Sequence, residues 1–208
     1  MKEQIYTIPV MDAFREESEC PMCILEKKIE DQYVEYFLGP SLMEPDCRIE
    51  TNEKGFCRRH FELLYNKQEN RLGLGLIIDT HLCEQNKKFQ KRFSRKSKSI
   101  QRDANISLAK SISSKFASKK TPTESFVDEL IEELAILEGK CMICGKIEYT
   151  MNRYLDVIFY LWLKETDFQN LFNNKKGFCL KHFKLLLEGA RKYLNSKQLP
   201  IFINNLLK

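Results

Sequence analysis

The segment Gly55-Phe56-Cys57-Arg58-Arg59-His60-Phe61 returns 122 residues later as Gly177-Phe178-Cys179-Leu180-Lys181-His182-Phe183. Each copy follows its own Cys-x-x-Cys, Cys20/Cys23 in the first and Cys141/Cys144 in the second. The repeat assigns six of the eight cysteines and two of the three histidines to two like sets. A Cys3His set is the donor set of a tetrahedral zinc site, and four protein ligands leave no open position for water. Two structural zinc ions per chain are therefore expected, on Cys20, Cys23, Cys57, His60, Cys141, Cys144, Cys179 and His182.

The local spacings suit this chemistry. Cys-x-x-Cys forms a tight knuckle that aims two sulfurs at one ion. Cys-x-x-His in a first helical turn puts its donors on one face. Gly55 and Gly177, two residues before the third cysteine of each set, mark turns that need unusual backbone angles. About 33 residues separate the two ligand pairs of each copy. Closing that loop costs less entropy than closing a longer one. The spacing thus favours Cys20/Cys23/Cys57/His60 and Cys141/Cys144/Cys179/His182, each ion stapling one helical hairpin. The swapped arrangement, Cys20/Cys23 with Cys179/His182, stays open.

Other chemistries fit less well. A thioredoxin-like dithiol wants a βαβ context and leaves Cys57, His60, Cys179 and His182 without a role. Haem attachment needs His directly after the second Cys, where Ile24 and Gly145 stand. Cys47, His81 and Cys83 have no counterparts in the other copy. Cys47 reads as a loop bystander. His81 and Cys83 sit two apart on a predicted helix, off a common face, and read as a satisfied histidine and a packed cysteine.

Apolar periodicity predicts helices throughout. Leu25, Ile29, Tyr33 and Phe37 form one face, stopped by Gly39-Pro40. Ile147, Met151, Tyr154, Leu155, Ile158, Leu161 and Trp162 form another, and so do Phe183, Leu186, Leu187, Ala190 and Leu194. A helix precedes each Cys-x-x-Cys. The first runs from about Val10 to Ser18. The second opens at Thr121-Pro122-Thr123-Glu124, a capping box with proline at the first helical position, and ends at Gly139. Trp162 with Tyr154, Phe159, Tyr160, Phe168 and Phe172 could line a ligand pocket. At helical spacing they read first as core.

The chain carries +5 overall, yet residues 86–120 hold twelve Lys/Arg against Asp103, a local +11 that leaves the remainder at −6. Phe89, Phe93, Ile100, Ala104, Leu108, Ile112 and Phe116 give this segment a narrow apolar stripe. It is read as a helix to about residue 112 with a break before Thr121, although its many serines also suit a linker. Three roles stand for it: a solvated connector, a binding surface for nucleic acid, or a face for an acidic partner or a second copy. A polyanion would meet residues 87–102, with Lys88, Lys91, Arg92, Arg95 and Arg102 along one flank.

Hydrophobic content of 43% with 30% charged residues describes a folded chain. Halves of about 85 residues are of a size for which a structural metal commonly supplements the core. No apolar run of signal-peptide or membrane-span length occurs, so the expected setting is cytoplasmic and thiol-reducing. There is no Gly-rich phosphate loop and no His-Glu-x-x-His.

The opening Ile8-Pro9-Val10-Met11-Asp12-Ala13-Phe14, then Cys20-Pro21-Met22-Cys23, then Gly-Phe-Cys-x-x-His twice, resembles a bacterial family of uncharacterised helical proteins. The resemblance covers nearly the whole chain and implies a cytoplasmic, metal-dependent helical protein, with no catalytic residues to carry over. Cys141-Met142-Ile143-Cys144 lacks the proline of the first knuckle, which alters the turn and keeps the ligands.

The expected fold is all-α: a first zinc-stapled repeat over 1–85, a basic connecting helix or linker over 86–120, and a second repeat over 121–208. The expected function is a non-enzymatic binding module for nucleic acid or protein. A thiol or zinc-thiolate enzyme using the Cys-x-x-Cys pairs, and a small-molecule sensor with an aromatic pocket, are the alternatives.

Overall fold

Helix signals dominate the sequence, and the computed structural model contains no strand among its described residues, 4–104 and 120–207. Among these described residues ten α-helices follow one another: α1 Gln4–Arg15, α2 Pro21–Leu38, α3 Pro45–Lys54, α4 Arg58–Asn66, α5 Arg71–Ala104, α6 Pro122–Glu138, α7 Met142–Lys164, α8 Thr166–Asn173, α9 Leu180–Tyr193 and α10 Gln198–Leu206. A 3-10 turn, Pro40–Met43, links α2 to α3. None of the described helices is long and apolar enough to cross a membrane.

Helix ends follow the local chemistry. The Thr121 side chain accepts from the Glu124 N–H while the Glu124 carboxylate accepts from the Thr121 N–H, the reciprocal cap foreseen for α6. Asn70 caps α5, its side-chain oxygen accepting the Gly73 N–H at 3.1 Å. That cap starts α5 at Arg71, far ahead of the basic segment, despite Gly73 and Gly75 in its opening turns. α1 also begins earlier than its periodicity suggests, at Gln4, and carries Pro9 within it. Cys47 lies in α3 rather than in a loop. The stripe residues Leu108, Ile112 and Phe116, and the break before Thr121, lie outside the described residues.

The chain divides into two compact units, and these do not follow the sequence repeat. One unit comprises Met1–Tyr33 with Gly145–Lys208; the other comprises Val34–Cys144. Each draws on both copies of the motif.

The first unit is built on aromatic packing. Phe14 of α1 lies 4.9 Å from Phe168 and 5.8 Å from Phe172 of α8, centroid to centroid. Phe202 of α10 meets Phe172 at 5.3 Å, Phe159 at 5.1 Å and Trp162 at 5.1 Å. The apolar faces foreseen for α7 and α9 supply Met151, Leu155, Ile158, Leu161, Leu186 and Ala190, all buried. Tyr154, Phe159, Trp162, Phe168 and Phe172 are thus core, while Tyr160 is exposed. Aromatic residues of this kind each bury large areas and gain further from tilted and edge contacts.

The second unit packs α3 and α6 against the long α5. Arg48 of α3 donates to the Thr80 hydroxyl at 3.0 Å and to the Leu76 carbonyl at 3.3 Å. Asn70 donates to the Leu38 carbonyl at 2.8 Å. Phe37, Leu64, Leu74 and Ile77 form its apolar centre.

Two candidate metal centres

The motif Gly-Phe-Cys-x-x-His has the same physical meaning in both copies. Glycine makes the turn: Gly55 has φ +63° and Gly177 φ +145°. Phenylalanine anchors the turn in a core, Phe56 against Phe37 at 5.3 Å and Phe178 against Phe172 at 5.3 Å. Cysteine is the N-cap, with Cys57 at φ −68°, ψ 163° and Cys179 at φ −63°, ψ 157°. Histidine stands one turn into the helix and is buried, His60 in α4 and His182 in α9. A sulfur at a helix N-terminus sits in the positive end of the helix dipole, which favours the thiolate.

Each Cys-x-x-Cys also opens a helix, with its first cysteine buried and its second exposed in both copies. The Cys23 N–H bonds the Cys20 carbonyl at 3.0 Å, closing the first knuckle.

The sets that meet are crosswise. Cys20, Cys23, Cys179 and His182 form one cluster, and Cys57, His60, Cys141 and Cys144 form the other. In each, the four donor atoms lie within 4.8 Å of one another. All eight foreseen ligands are thus gathered, but the within-repeat grouping is corrected: neither ion site staples a single hairpin. Each cluster lies wholly within one compact unit, the first in Met1–Tyr33 with Gly145–Lys208 and the second in Val34–Cys144. A backbone bond fixes the second grouping: the Met142 N–H donates to the Gly55 carbonyl at 3.0 Å, tying the second knuckle to the first copy's glycine turn.

The spacing fits a tetrahedral ion. Metal–sulfur bonds of about 2.3 Å and metal–nitrogen bonds of about 2.0 Å place sulfurs about 3.8 Å apart and sulfur about 3.5 Å from nitrogen. Cys23 and Cys179 sulfurs are 3.6 Å apart, and Cys57 and Cys144 sulfurs 3.8 Å. His182 Nδ1 lies 3.5, 3.4 and 3.2 Å from the sulfurs of Cys20, Cys23 and Cys179. His60 Nδ1 lies 3.3 Å from each of Cys57, Cys141 and Cys144. None of the eight cysteines is in a disulfide.

Without a cation, Cys23 and Cys144 resist ionisation. Burial, then hydrogen bonds and charge from Cys179 and Cys20, pushes Cys23 up to about 12. Burial, then the charge of Cys141 and of Cys57, does the same to Cys144. For Cys179, burial pushes upward but loses to the His182 and Lys181 N–H groups and the neighbouring thiols, and the net shift is downward. A divalent cation inverts this logic, because a coordinating thiol is deprotonated outright. His182 is held below its ordinary value by burial, against the opposing charge of Glu26, so it stays neutral as a ligand must.

One residue escaped the sequence reading. Glu26 follows Cys23 by three positions on α2 and places Oε2 3.2 Å from His182 Nε2. The N–H points somewhat off that line, since Nε2 forms no aligned hydrogen bond. With Nδ1 facing the sulfurs, the ring proton belongs on Nε2, toward the carboxylate, and Lys181 pairs with the same carboxylate. Such a carboxylate–histidine pair orients the ring and raises its basicity. The spacing Cys-x-x-Cys-x-x-Glu was the available signal. Glu26→Gln should weaken metal affinity at this cluster by about 10–100-fold while leaving the other unchanged. Competition with a chromogenic chelator would read both steps.

His81 supports the second cluster from outside. Its Nδ1 bonds the Asn52 carbonyl at 2.9 Å, and Gln85 donates to the same oxygen at 2.8 Å. Its ring lies over Gly55, where an added Cβ would come within 2.7 Å of Nε2. Gly55→Ala should therefore cost more than Gly177→Ala. The backbone strain is about 1–3 kcal/mol at either position, and only Gly55 adds the collision with His81. Thermal melts of the metal-loaded variants would show the order.

The foreseen polyanion flank is divided by α6, which carries Glu124, Asp128, Glu129, Glu132, Glu133 and Glu138 and no base. Arg92 pairs with Glu133 at 2.6 Å, and Lys96 with Glu129 at 3.2 Å. Lys88 borders a cleft of about 520 Å3 with Glu129, Glu132 and Glu133. Lys91, Arg95 and Arg102 are exposed.

The fold and its donor sets define a helical protein with two Cys3His clusters at metal-binding distance. A model described as a family of unknown function (DUF6062) matches residues 1–208, and the chain belongs to that family. No curated protein and no solved structure matches it.

Proposed function

We propose that the chain is a zinc-clasped helical binding module with no catalytic chemistry of its own, acting on nucleic acid or protein in a reducing compartment. The observation that carries this reading is the pair of closed four-donor clusters at tetrahedral spacing. Three soft sulfurs and an imidazole select zinc over hard cations. A closed site supplies folding energy rather than an activated water. The dithiol alternative loses support because each Cys-x-x-Cys faces a third sulfur and a histidine at ligand distance. The sensor alternative loses support because the aromatics around Trp162 pack on one another in a core.

Elemental analysis of protein purified without a metal-affinity tag should find two zinc ions per chain. Six cysteines should resist alkylation until a chelator is added, while Cys47 and Cys83 react independently of it. Fewer than one ion per chain, or six thiols that titrate freely, would remove the zinc reading.

A further inference from the structure

The cations of α5 fall into two faces that the structure treats differently. Arg92 and Lys96 turn toward α6 and are neutralised by Glu133 and Glu129. Asp103 joins the same face, accepting from the Thr123 N–H at 2.8 Å and the Thr123 hydroxyl at 2.6 Å. Lys87, Lys91, Arg95, Lys98 and Arg102 are spaced by four, four, three and four residues, the spacing of one helical stripe. At about 100° per residue the stripe lies roughly a quarter-turn or more from the α6 face. All five are exposed, and none forms an ion pair among the described residues. Like charges one turn apart on a helix oppose its formation, yet five are kept in line while their neighbours are paired with acids.

Resting on the reading of the chain as a binding module, we infer that this stripe binds the phosphodiester backbone of nucleic acid, without sequence preference. Its length is about 22 Å at 1.5 Å per residue, with a cation at nearly every turn. That is a ladder for a line of phosphates, not a pocket for one anion. The flanking positions Gln90, Ser94, Ser99 and Gln101 are polar. They offer no apolar side chains to enter a bilayer, which separates the stripe from a membrane-lying helix. They offer no aromatic ring to stack bases, so the backbone alone is read. Glu84 bounds the stripe at its N-terminal end.

The test is fluorescence anisotropy with a labelled 20-base-pair DNA duplex, the matching RNA duplex and single-stranded DNA. Five phosphate contacts on duplex DNA predict an affinity loss of about 500-fold between 50 and 200 mM salt. The variant K91E/R95E/K98E, which leaves Arg92 and Lys96 on their acids, should abolish binding at 50 mM salt. The control K164E/K184E/K197E makes the same change in net charge away from α5 and should retain most of it. Metal content is measured on every variant. Two ions per chain with no binding to any nucleic acid overturns this inference and leaves the zinc reading intact. Binding without the ions overturns the zinc reading alone. Equal loss in both triple variants, or anionic vesicles bound through the stripe with nucleic acid ignored, also overturns the inference.

Discussion

A chain cut between residues 105 and 119, at an engineered protease site, should remain one particle until its metal is removed. Each compact unit takes residues from both sides of that cut. Each cluster does too, pairing Cys20 and Cys23 with Cys179 and His182, and Cys57 and His60 with Cys141 and Cys144. Metal binding at structural zinc sites is worth about 10–16 kcal/mol apparent, and a whole domain is commonly stable by only about 5–15 kcal/mol. Chelation should therefore unfold the units and release the fragments. A cleft of about 460 Å3 beside Cys20, Cys23 and Cys179 gives a chelator access to the first cluster. Size-exclusion chromatography of the nicked protein, with circular dichroism before and after chelation, reads both steps. Fragments that part while metal is bound, or a chelated chain that keeps its full melting temperature, would refute the structural role.

Acid should act as chelation does. The metal-bound state holds fewer protons on its sulfurs than the unfolded chain, so its stability rises with pH and falls as protons compete for the ligands. Any fold that survives chelation runs the other way. Cys23 and Cys144, raised from 9.0 to about 12, contribute stability that is present below 9.0 and is lost as pH rises toward 12. The metal-loaded protein should thus gain stability up to about pH 9 and level off above it, whereas metal-free protein should lose stability between about 9 and 12.

What could be read from the sequence was local. Cys-x-x-Cys, Gly-Phe-Cys-x-x-His and the Thr121 capping box are each set by a few adjacent residues, and each has the geometry its spacing implies. The apolar faces of α2, α7 and α9 were legible for the same reason: periodicity of burial is written in the side chains themselves. The grouping of ligands was not legible, because the entropic argument for it is weak. The clusters bridge residues 87 and 156 apart. Against loops of about 33 residues, that costs only about 1 kcal/mol each in closure entropy. Packing of Phe14 on Phe168 and Phe172, and of α6 on α5, outweighs such a term easily. The division of the α5 cations was equally hidden, since it depends on where the acids of α6 land, far along the chain.

Replacing one ligand should expose its true companions. In Cys57→Ser, the thiols of Cys141 and Cys144 should become reactive, while Cys20, Cys23 and Cys179 stay protected by their own ion. Within-repeat grouping predicts the reverse, with Cys20 and Cys23 released and Cys141 and Cys144 protected. Cys179→Ser gives the mirror experiment: Cys20 and Cys23 react, and Cys57, Cys141 and Cys144 do not. Removing one of four ligands weakens that site, so under a competing chelator each variant should retain about one ion per chain. Pulsed alkylation followed by peptide mass spectrometry distinguishes the patterns thiol by thiol. Because the two clusters lie in different compact units, the variants should also melt in two steps, the damaged unit first. Reaction of all remaining ligand thiols in either variant would mean that the two units share one cooperative transition. Release of Cys20 and Cys23 by Cys57→Ser alone would mean that the crosswise grouping is wrong.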